Sequence, residues 1–541
     1  MSVPRLRILE APPRPLSIAR AIEPLHVALV RCPTLTSVTA LGQDAVPPIG
    51  LAYIAGALEW AGHHVTAVDA VGEALHQFTR VAWSPRALVH GLRTEEIVER
   101  IDPRAQVIGI SCMFSVEWLL ARTLVHAIRS AFPDALIVLG GEHVTACPEY
   151  TLTDCPPVDV CVLGEGEETT LDLLEAVAKK EDLAQVRGLA LRSGSSIVQT
   201  AHRPRARTID EIPEPAWERF PVEAYIDNAF SFGADLGRSM PLLGSRGCPY
   251  QCTFCSSPQM WTTFWTARKP ELLIQEMKKY IARYRVTNFD FYDLTAIVRK
   301  DWIVAFSKLV IDEGLDITWQ LPSGTRSEAI DEEVVGLLYQ SGCRIINYAP
   351  ESGSLAELRR IKKRVTPDRM LSSMRAAYRA GLLMKTNFIF GLPGSSWADV
   401  RATFVFLARM AWAGVQDVGA FPFSPYPGSE LFDQLLSSGR IKLDEEYFRS
   451  LLAYTDPQHS VSYADFIGSR TLSVLNLSAT AFFYLCSFVF RPWRLLQLAT
   501  ALIRKSGSTK LTAALLTRRR KVRAMKLSRD LSLDTVVVPR Q

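Results

Sequence analysis

Short apolar runs alternate with stretches of helical periodicity twice along this 541-residue chain, and a segment rich in proline and charge divides the two series. In the first series the runs are LHVALV (25–30), HHVTAVDA (63–70), AQVIGISC (105–112), ALIVLGG (135–141) and VDVCVLG (158–164). Helical stretches such as LAYIAGALEWAG (51–62) lie between them. This alternation predicts an α/β fold with a doubly wound parallel sheet. The second series, MPLLGSRG (240–247), NFDFYD (288–293), ITWQLPSG (317–324), RIINYAPE (344–351), MKTNFIFG (384–391) and DVGAFPF (417–423), predicts a partial (β/α)6 barrel. Both architectures bind ligands beyond the carboxyl ends of their strands. The expected organisation is a leader over 1–24, the first domain over 25–200, a linker over 201–235 around RPRARTIDEIPEPAWERFP, the barrel over 236–445, and a helical C-terminal region with a basic tail over 446–541.

The charged fraction of 22% and hydrophobic fraction of 48% exclude wholesale disorder. The net charge of +5 is unevenly placed. Residues 491–541 carry 13 Lys and Arg against Asp530 and Asp534, a local +11 that leaves −6 on the rest of the chain. The first 24 residues hold no apolar run of a secretory signal, so a cytoplasmic chain with reduced cysteines is expected. The ten cysteines are scattered except for Cys248, Cys252 and Cys255 in RGCPYQCTFCSSP (246–258). Structural zinc sites normally take four ligands, and no second cysteine pair stands at matching spacing. Four-cysteine iron–sulfur runs differ in having a fourth ligand. Three thiolates on a four-iron cluster leave one iron open to an outside ligand.

At these residues the chain resembles the radical S-adenosylmethionine (SAM) superfamily. The spacing C-x3-C-x2-C with Phe254 before the last cysteine carries the likeness. The resemblance implies a [4Fe-4S] cluster on Cys248, Cys252 and Cys255, whose open iron chelates SAM. Reductive cleavage of SAM then gives methionine and a 5′-deoxyadenosyl radical. It also implies SAM contacts from Phe254, from Glu351 and Ser352 in APESGS (349–354), and from Gly391 and Pro393 in FIFGLPGSS (388–396). Family members often carry an acidic residue after that Pro-Gly, where this chain has Ser395.

The N-terminal segments PPIGLAYIAGALEWAGHHVTAVDA (47–70), GGEHVTA (140–146) and LGEGEETT (163–170) resemble the flavodoxin- or Rossmann-like cobalamin (B12)-binding domain fused to one radical SAM subclass. Glycines let a bulky corrin lie against backbone. The resemblance implies cobalamin contacts from Asp69, Ser111, Gly140, Gly141, His143, Gly164, Glu165 and Gly166; for His143 a core or surface histidine is the other reading. The D-x-H-x-x-G loop that gives cobalt an axial histidine elsewhere is absent.

The resemblance as a whole implies a cobalamin-dependent radical SAM enzyme, of the subclass that includes class B methyltransferases and the anaerobic magnesium-protoporphyrin ester cyclase. The expected reaction is methyl transfer to an unactivated carbon of a lipid-like or natural-product substrate, with electrons from a flavodoxin or ferredoxin. Oxidative cyclisation or ring rearrangement without methyl transfer is the alternative, and a cofactor-binding sensor is the alternative of another class. TLSVLNLSATAFFYLCSFVF (471–490) has no charge over 20 residues and reads as a core or lid helix, an interfacial anchor or a span. With the basic residues that follow, 471–541 forms a candidate peripheral contact with the inner face of a membrane. No nucleic-acid motif accompanies the basic run, and no nucleic-acid partner is expected.

Overall fold

The computed structural model describes residues 7–9, 23–38, 40, 45–205, 208–326, 329–454, 456 and 460–503. The first domain is built on an eight-stranded sheet. Its spatial order is Arg7–Leu9, Ser196–Thr200, Leu189–Ser193, Val160–Val162, Leu136–Gly140, Val107–Ser111, His26–Arg31, His64–Asp69. The five strands from Val160–Val162 to His64–Asp69 run parallel. Their apolar runs are nearly continuous because helices cover both faces; Val27, Ala28, Leu29 and Val30 are all buried. After His26–Arg31 the chain crosses to one side, to His64–Asp69, and then to the other, to Val107–Ser111. That reversal opens a crevice at the carboxyl ends of His26–Arg31 and Val107–Ser111, the usual ligand position in such sheets.

Three expectations need amendment. The leader contributes to the first domain, because Arg7–Leu9 adds a parallel edge strand against Val198–Thr200. The linker is packed. It forms short turns at Ile209–Glu211 and Trp217–Arg219 and a helix at Val222–Asp227, and Trp217, Phe220 and Tyr225 are buried. Trp217 Nε1 donates to the Tyr280 hydroxyl of the second domain at 3.0 Å, and the Tyr225 hydroxyl donates to Asp69 of the first at 2.7 Å. Finally, Thr34–Ser37, Ser84–His90 and Phe78–Val81 form a separate antiparallel sheet that strand–helix alternation did not reveal.

The second domain is an open six-stranded parallel sheet, in the order Ser239–Leu242, Asn288–Phe291, Thr318–Thr325, Cys343–Glu351, Leu383–Phe390, Asp417–Pro422. Strand order follows chain order, as in a partial barrel. The apolar segment near the C-terminus is the helix Ser469–Phe490, which lies along the last strand and the helix Trp397–Ala413. Leu472, Asn476, Ala479, Phe483 and Ser487 line its buried side at helical spacing. Two buried hydroxyls on this helix are matched: Ser473 Oγ accepts from the Ser460 N–H at 3.0 Å and Ser487 Oγ from Arg494 at 2.6 Å. By length and composition the helix could cross a membrane, but it packs as the outer wall of the open barrel edge. Arg491 and Arg494, expected to face lipid, turn inward. They donate to the carbonyls of Ala411, Trp412, Gly414 and Val415 at the C-terminus of Trp397–Ala413, where positive charge complements the exposed carbonyls. Burial lowers Arg494 to about 10. The basic run 518–526 lies outside the described residues.

Candidate active site between two sheet ends

The cysteine loop leaves the barrel through the short strand Ser245–Arg246, which pairs with Thr266–Ala267. Gly247 has φ +86°, and a Cβ there would lie 2.1 Å from the Phe264 carbonyl oxygen, so only glycine makes this turn. Backbone bonds fix the loop from three sides: Cys255 N–H to Cys252 O at 3.1 Å, Thr253 N–H to Ile361 O at 3.1 Å, and Leu431 N–H to Thr253 O at 2.9 Å. Cys248, Cys252 and Cys255 are half-buried free thiols. Burial pushes the Cys252 thiol up, with Lys363 opposing; it pushes Cys255 up to about 12, with the Ser257 N–H opposing. Among the described residues no three His, Cys, Asp or Glu side chains converge on a point suited to one metal ion. Three thiols that bind three different irons of a cube need not converge, so the donor set fits a cluster better than a single ion.

Glu351 ends its strand at φ +61°, a left-handed conformation that a non-glycine residue holds at a cost, as functional sites often require. Its carboxylate pairs with Lys363 at 2.9 Å, and the Lys363 ammonium lies 5.9 Å from the Phe254 ring centroid. Phe254, Glu351 and the cysteine loop thus form one neighbourhood. Ser352 is more remote: it is buried with its hydroxyl 3.3 Å from Thr403 Oγ1. Gly391 has φ +82°, and a Cβ there would meet Leu472 of the C-terminal helix at 2.8 Å. Pro393 is half-buried in the following turn. Ser395 donates to Glu357, so a carboxylate does stand beside the position where an acidic side chain was looked for.

Opposite this loop lies the carboxyl end of the first domain's sheet. Gly141 (φ +118°) would place a Cβ 2.5 Å from the Cys112 carbonyl oxygen, whereas Gly164 (φ +73°) faces open space. Gly140, Ser111 and Gly166 stand half-buried on the same edge. Met113 and Phe114, 38% and 56% exposed, follow Ser111 and present an apolar surface there. The third cysteine is tied across the gap, since the neighbouring Ser256 donates to Glu142 of the Gly141 turn. Open space beside a left-handed glycine, next to exposed apolar side chains, suits a large flat cofactor.

Three residues expected at that surface are committed elsewhere. Asp69 is buried and accepts from Arg31, the Tyr225 hydroxyl and the Val71 and Gly72 N–H groups. Glu165 begins the helix Gly166–Lys179 and binds Arg205 at 3.2 Å and Arg246 at 3.3 Å; Glu167 binds Arg246 at 2.6 Å. These carboxylates therefore join the first domain to the root of the cysteine loop. His143 is 1% exposed, with Nδ1 3.0 Å from Ser115 Oγ and its ring against Trp118 and Phe448. Of its two readings, this placement is that of a core histidine.

Burial holds His143 down to about 3, far below 6.5. The unfolded chain binds this proton first, so stability falls as pH drops below about 6.5 and continues to fall towards 3, by up to about 1.4 kcal/mol per pH unit from this group. Urea midpoints at pH 7 and pH 5 should show a larger loss for the wild type than for His143→Gln.

Several site residues carried no sequence signal. Glu117, in a 3-10 turn after Phe114, is buried against Arg31; burial raises it to about 7, with Arg31 and a bond to Thr34 opposing. Tyr426 is close enough to Glu117, Glu142 and Tyr454 to feel their charge. An acid among apolar neighbours (Phe114–Trp118) looks like any helix-start carboxylate until the facing chain is seen.

Profiles of known families match two parts of the chain: the B12 binding domain over 36–174 and the radical SAM superfamily over 242–407. An uncharacterised methyltransferase of Pyrococcus horikoshii, PH0819, is 28% identical over 417 residues, covering 76% of this chain and 84% of its own. The anaerobic magnesium-protoporphyrin IX monomethyl ester cyclase of Cereibacter sphaeroides is 26% identical over 396 residues, covering 72% and 60%. Among solved structures, the radical SAM methyltransferase TsrM of Kitasatospora setae, with cobalamin and a [4Fe-4S] cluster bound, superposes with a TM-score of 0.63 at 16% identity over 93% of this chain and 100% of its own.

Proposed function

The chain belongs to the cobalamin-dependent radical SAM enzymes, with cobalamin, a [4Fe-4S] cluster and SAM as cofactors, and from that premise we propose that it methylates an unactivated carbon of a lipid-like or natural-product small molecule. The observation that carries this reading is the bond from Ser256 to Glu142, which sets the cysteine loop directly against the glycine turn of the first domain. Methyl transfer needs a substrate that reaches both cofactors, and this contact supports a shared chamber.

When bound, these groups supply hydrogen abstraction and methyl donation; the chain positions and shields. Cys248, Cys252 and Cys255 would hold the cluster. Phe254 and Glu351 stand where they can flank SAM, with Lys363 compensating the carboxylate. Gly140, Gly141, Gly164 and Gly166 offer backbone to a corrin, and Met113 and Phe114 offer it an apolar bed. The helix Ser469–Phe490, pressed on Gly391 through Leu472, closes the barrel edge against water. Reducing equivalents would come from a flavodoxin or ferredoxin. A reducing, cytoplasmic setting is part of the proposal.

The reconstituted enzyme, incubated under reducing conditions with methyl-labelled SAM and an extract of the native host, should yield a small molecule carrying the label. Consumption of a substrate with 5′-deoxyadenosine but no label in product would replace methylation by cyclisation or rearrangement. Failure to cleave SAM at all would favour a sensor.

Peripheral membrane contact is part of the proposal. On the outer side of Ser469–Phe490 and the next helix, Trp493–Ile503, the side chains Val474, Leu477, Leu485, Val489, Trp493 and Leu496 are exposed, and the basic residues of 504–541 follow in the sequence. Apolar residues flanked by cations favour anionic lipid. Truncation after 503, which spares the helix-capping Arg491 and Arg494, should weaken co-sedimentation with phosphatidylserine vesicles. Equal binding of the truncated chain would remove the tail from the contact.

A further inference from the structure

Lys385 lies inside the barrel without a hydrogen-bond or ion-pair partner among the described residues. Its strand, Leu383–Phe390, alternates half-buried and buried positions. The buried set faces the outer helices, as the Phe388 ring shows by its edge contact with Phe406 at 6.2 Å. Lys385 therefore faces the interior, where it keeps some solvent-accessible surface. Register places Asn347 on one side of it and Asp417 on the other. Burial pulls the ammonium below the usual lysine range, and Asp417 and Asp290 pull it back up. Both carboxylates have other partners: Asp417 accepts from the Tyr484 hydroxyl at 2.9 Å, and Asp290 accepts from the Gly233 N–H, Asn288 and Gln320.

The neighbouring Asn347 is 5% exposed. Its Nδ2 donates to the Pro322 carbonyl at 2.7 Å, which fixes the amide orientation and leaves Oδ1 buried with no partner among the described residues. Buried polar atoms normally find partners. A lysine ammonium has three donors and no acceptor. One layer of the barrel interior thus presents unused donors beside an unused acceptor, below the strand ends where the cysteine loop sits.

We infer that Lys385 and Asn347 form a recognition site for the substrate, with Lys385 taking an anionic oxygen group, carboxylate or phosphoryl, and Asn347 taking a hydroxyl or amide N–H. This rests on the reading of the barrel interior as a substrate chamber, and it narrows a lipid-like substrate to an amphiphile with an acidic head. A purely apolar substrate would leave the ammonium desolvated and unpaired.

Calorimetric titration of the full chain loaded with cluster and cobalamin tests this, using hexanoate, hexylphosphonate and the neutral 1-hexanol as probes. Wild type and Lys385→Arg should bind an anion at least tenfold more tightly than Lys385→Met does, while 1-hexanol should not distinguish the three. The stronger of the two anions identifies carboxylate or phosphoryl as the group recognised. Absence of anion binding by the wild type, or equal binding by Lys385→Met, overturns the proposal. Should Lys385→Met fail to fold or load, the wild type alone decides: at least one of the two anions should slow reductive methylation of Lys385, read by peptide mass mapping, and a rate unchanged by either is the contrary result. Neither readout uses turnover, so a failed label transfer and a failed anion site are separately visible.

Discussion

Replacement of Cys248, Cys252 or Cys255 by alanine should reduce bound iron and 5′-deoxyadenosine formation from SAM to background, while the chain stays folded. Each thiolate of the loop would hold a different iron, so no remaining ligand could substitute. The loop does not depend on the cysteine side chains for its shape. Backbone bonds to Ile361 and Leu431 and the glycine turn at 247 hold it. The stability cost of each substitution should stay at about 1 kcal/mol, the ordinary range for a half-buried position. Iron analysis, the cluster's visible absorbance and far-ultraviolet circular dichroism together separate loss of the ligand from loss of the fold. Because burial raises Cys252 and holds Cys255 at about 12, loading must expel protons. Cluster incorporation into the wild type should therefore become less complete as pH falls, and a pH-independent yield would contradict this account.

The second large effect is expected at Arg246, two residues before the first cysteine. Its side chain is 6% exposed, bonded to Glu165 and Glu167 and set over the Tyr53 ring at 5.0 Å. Removing one partner of a buried ion pair leaves the other charge desolvated, at a typical cost of about 3–5 kcal/mol. Arg246→Met should lower the denaturation midpoint accordingly and reduce cobalamin and iron retention together, because the lost contact joins the two domains. Glu167→Gln in the same chain should recover much of the midpoint, since it removes the stranded charge. If the double variant is no better than the single one, packing on Tyr53 matters more than charge.

Much of this architecture was legible in sequence. The five parallel strands of the first domain coincide with apolar runs, because strands covered on both faces need few polar residues; the six of the second mix an apolar outer face with polar interior positions such as Asp290, Gln320, Asn347 and Lys385. The cysteine spacing pointed to its chemistry directly. Partners in space were not legible. GEGEE advertises negative charge at a helix start, but whether Glu165 meets a cofactor or Arg246 depends on a segment 81 residues away. Asp69 at a strand end and His143 after a glycine pair have the residue types of ligands; Tyr225 and Trp118 use them as structural partners. The antiparallel sheet containing 78–90 was not legible because Thr34–Ser37 and Phe78–Val81 are only four residues long and no helix separates Phe78–Val81 from Ser84–His90. The apolar stretch 471–490 fits core and membrane equally by composition. Its buried Ser473 and Ser487, matched by Ser460 and Arg494, distinguish the two only once the fold is known.

The packed segment 201–235 bears on how such enzymes could be recombined. A crossover placed in this proline-rich stretch would look harmless on paper, yet it would part Trp217 from Tyr280 or Tyr225 from Asp69, and in every case Glu165 from Arg246. Transplanting either half into a relative therefore calls for moving the connector with its matching surface residues, or for redesigning both sides at once. The unit of inheritance is the pair of domains with the strap that binds them.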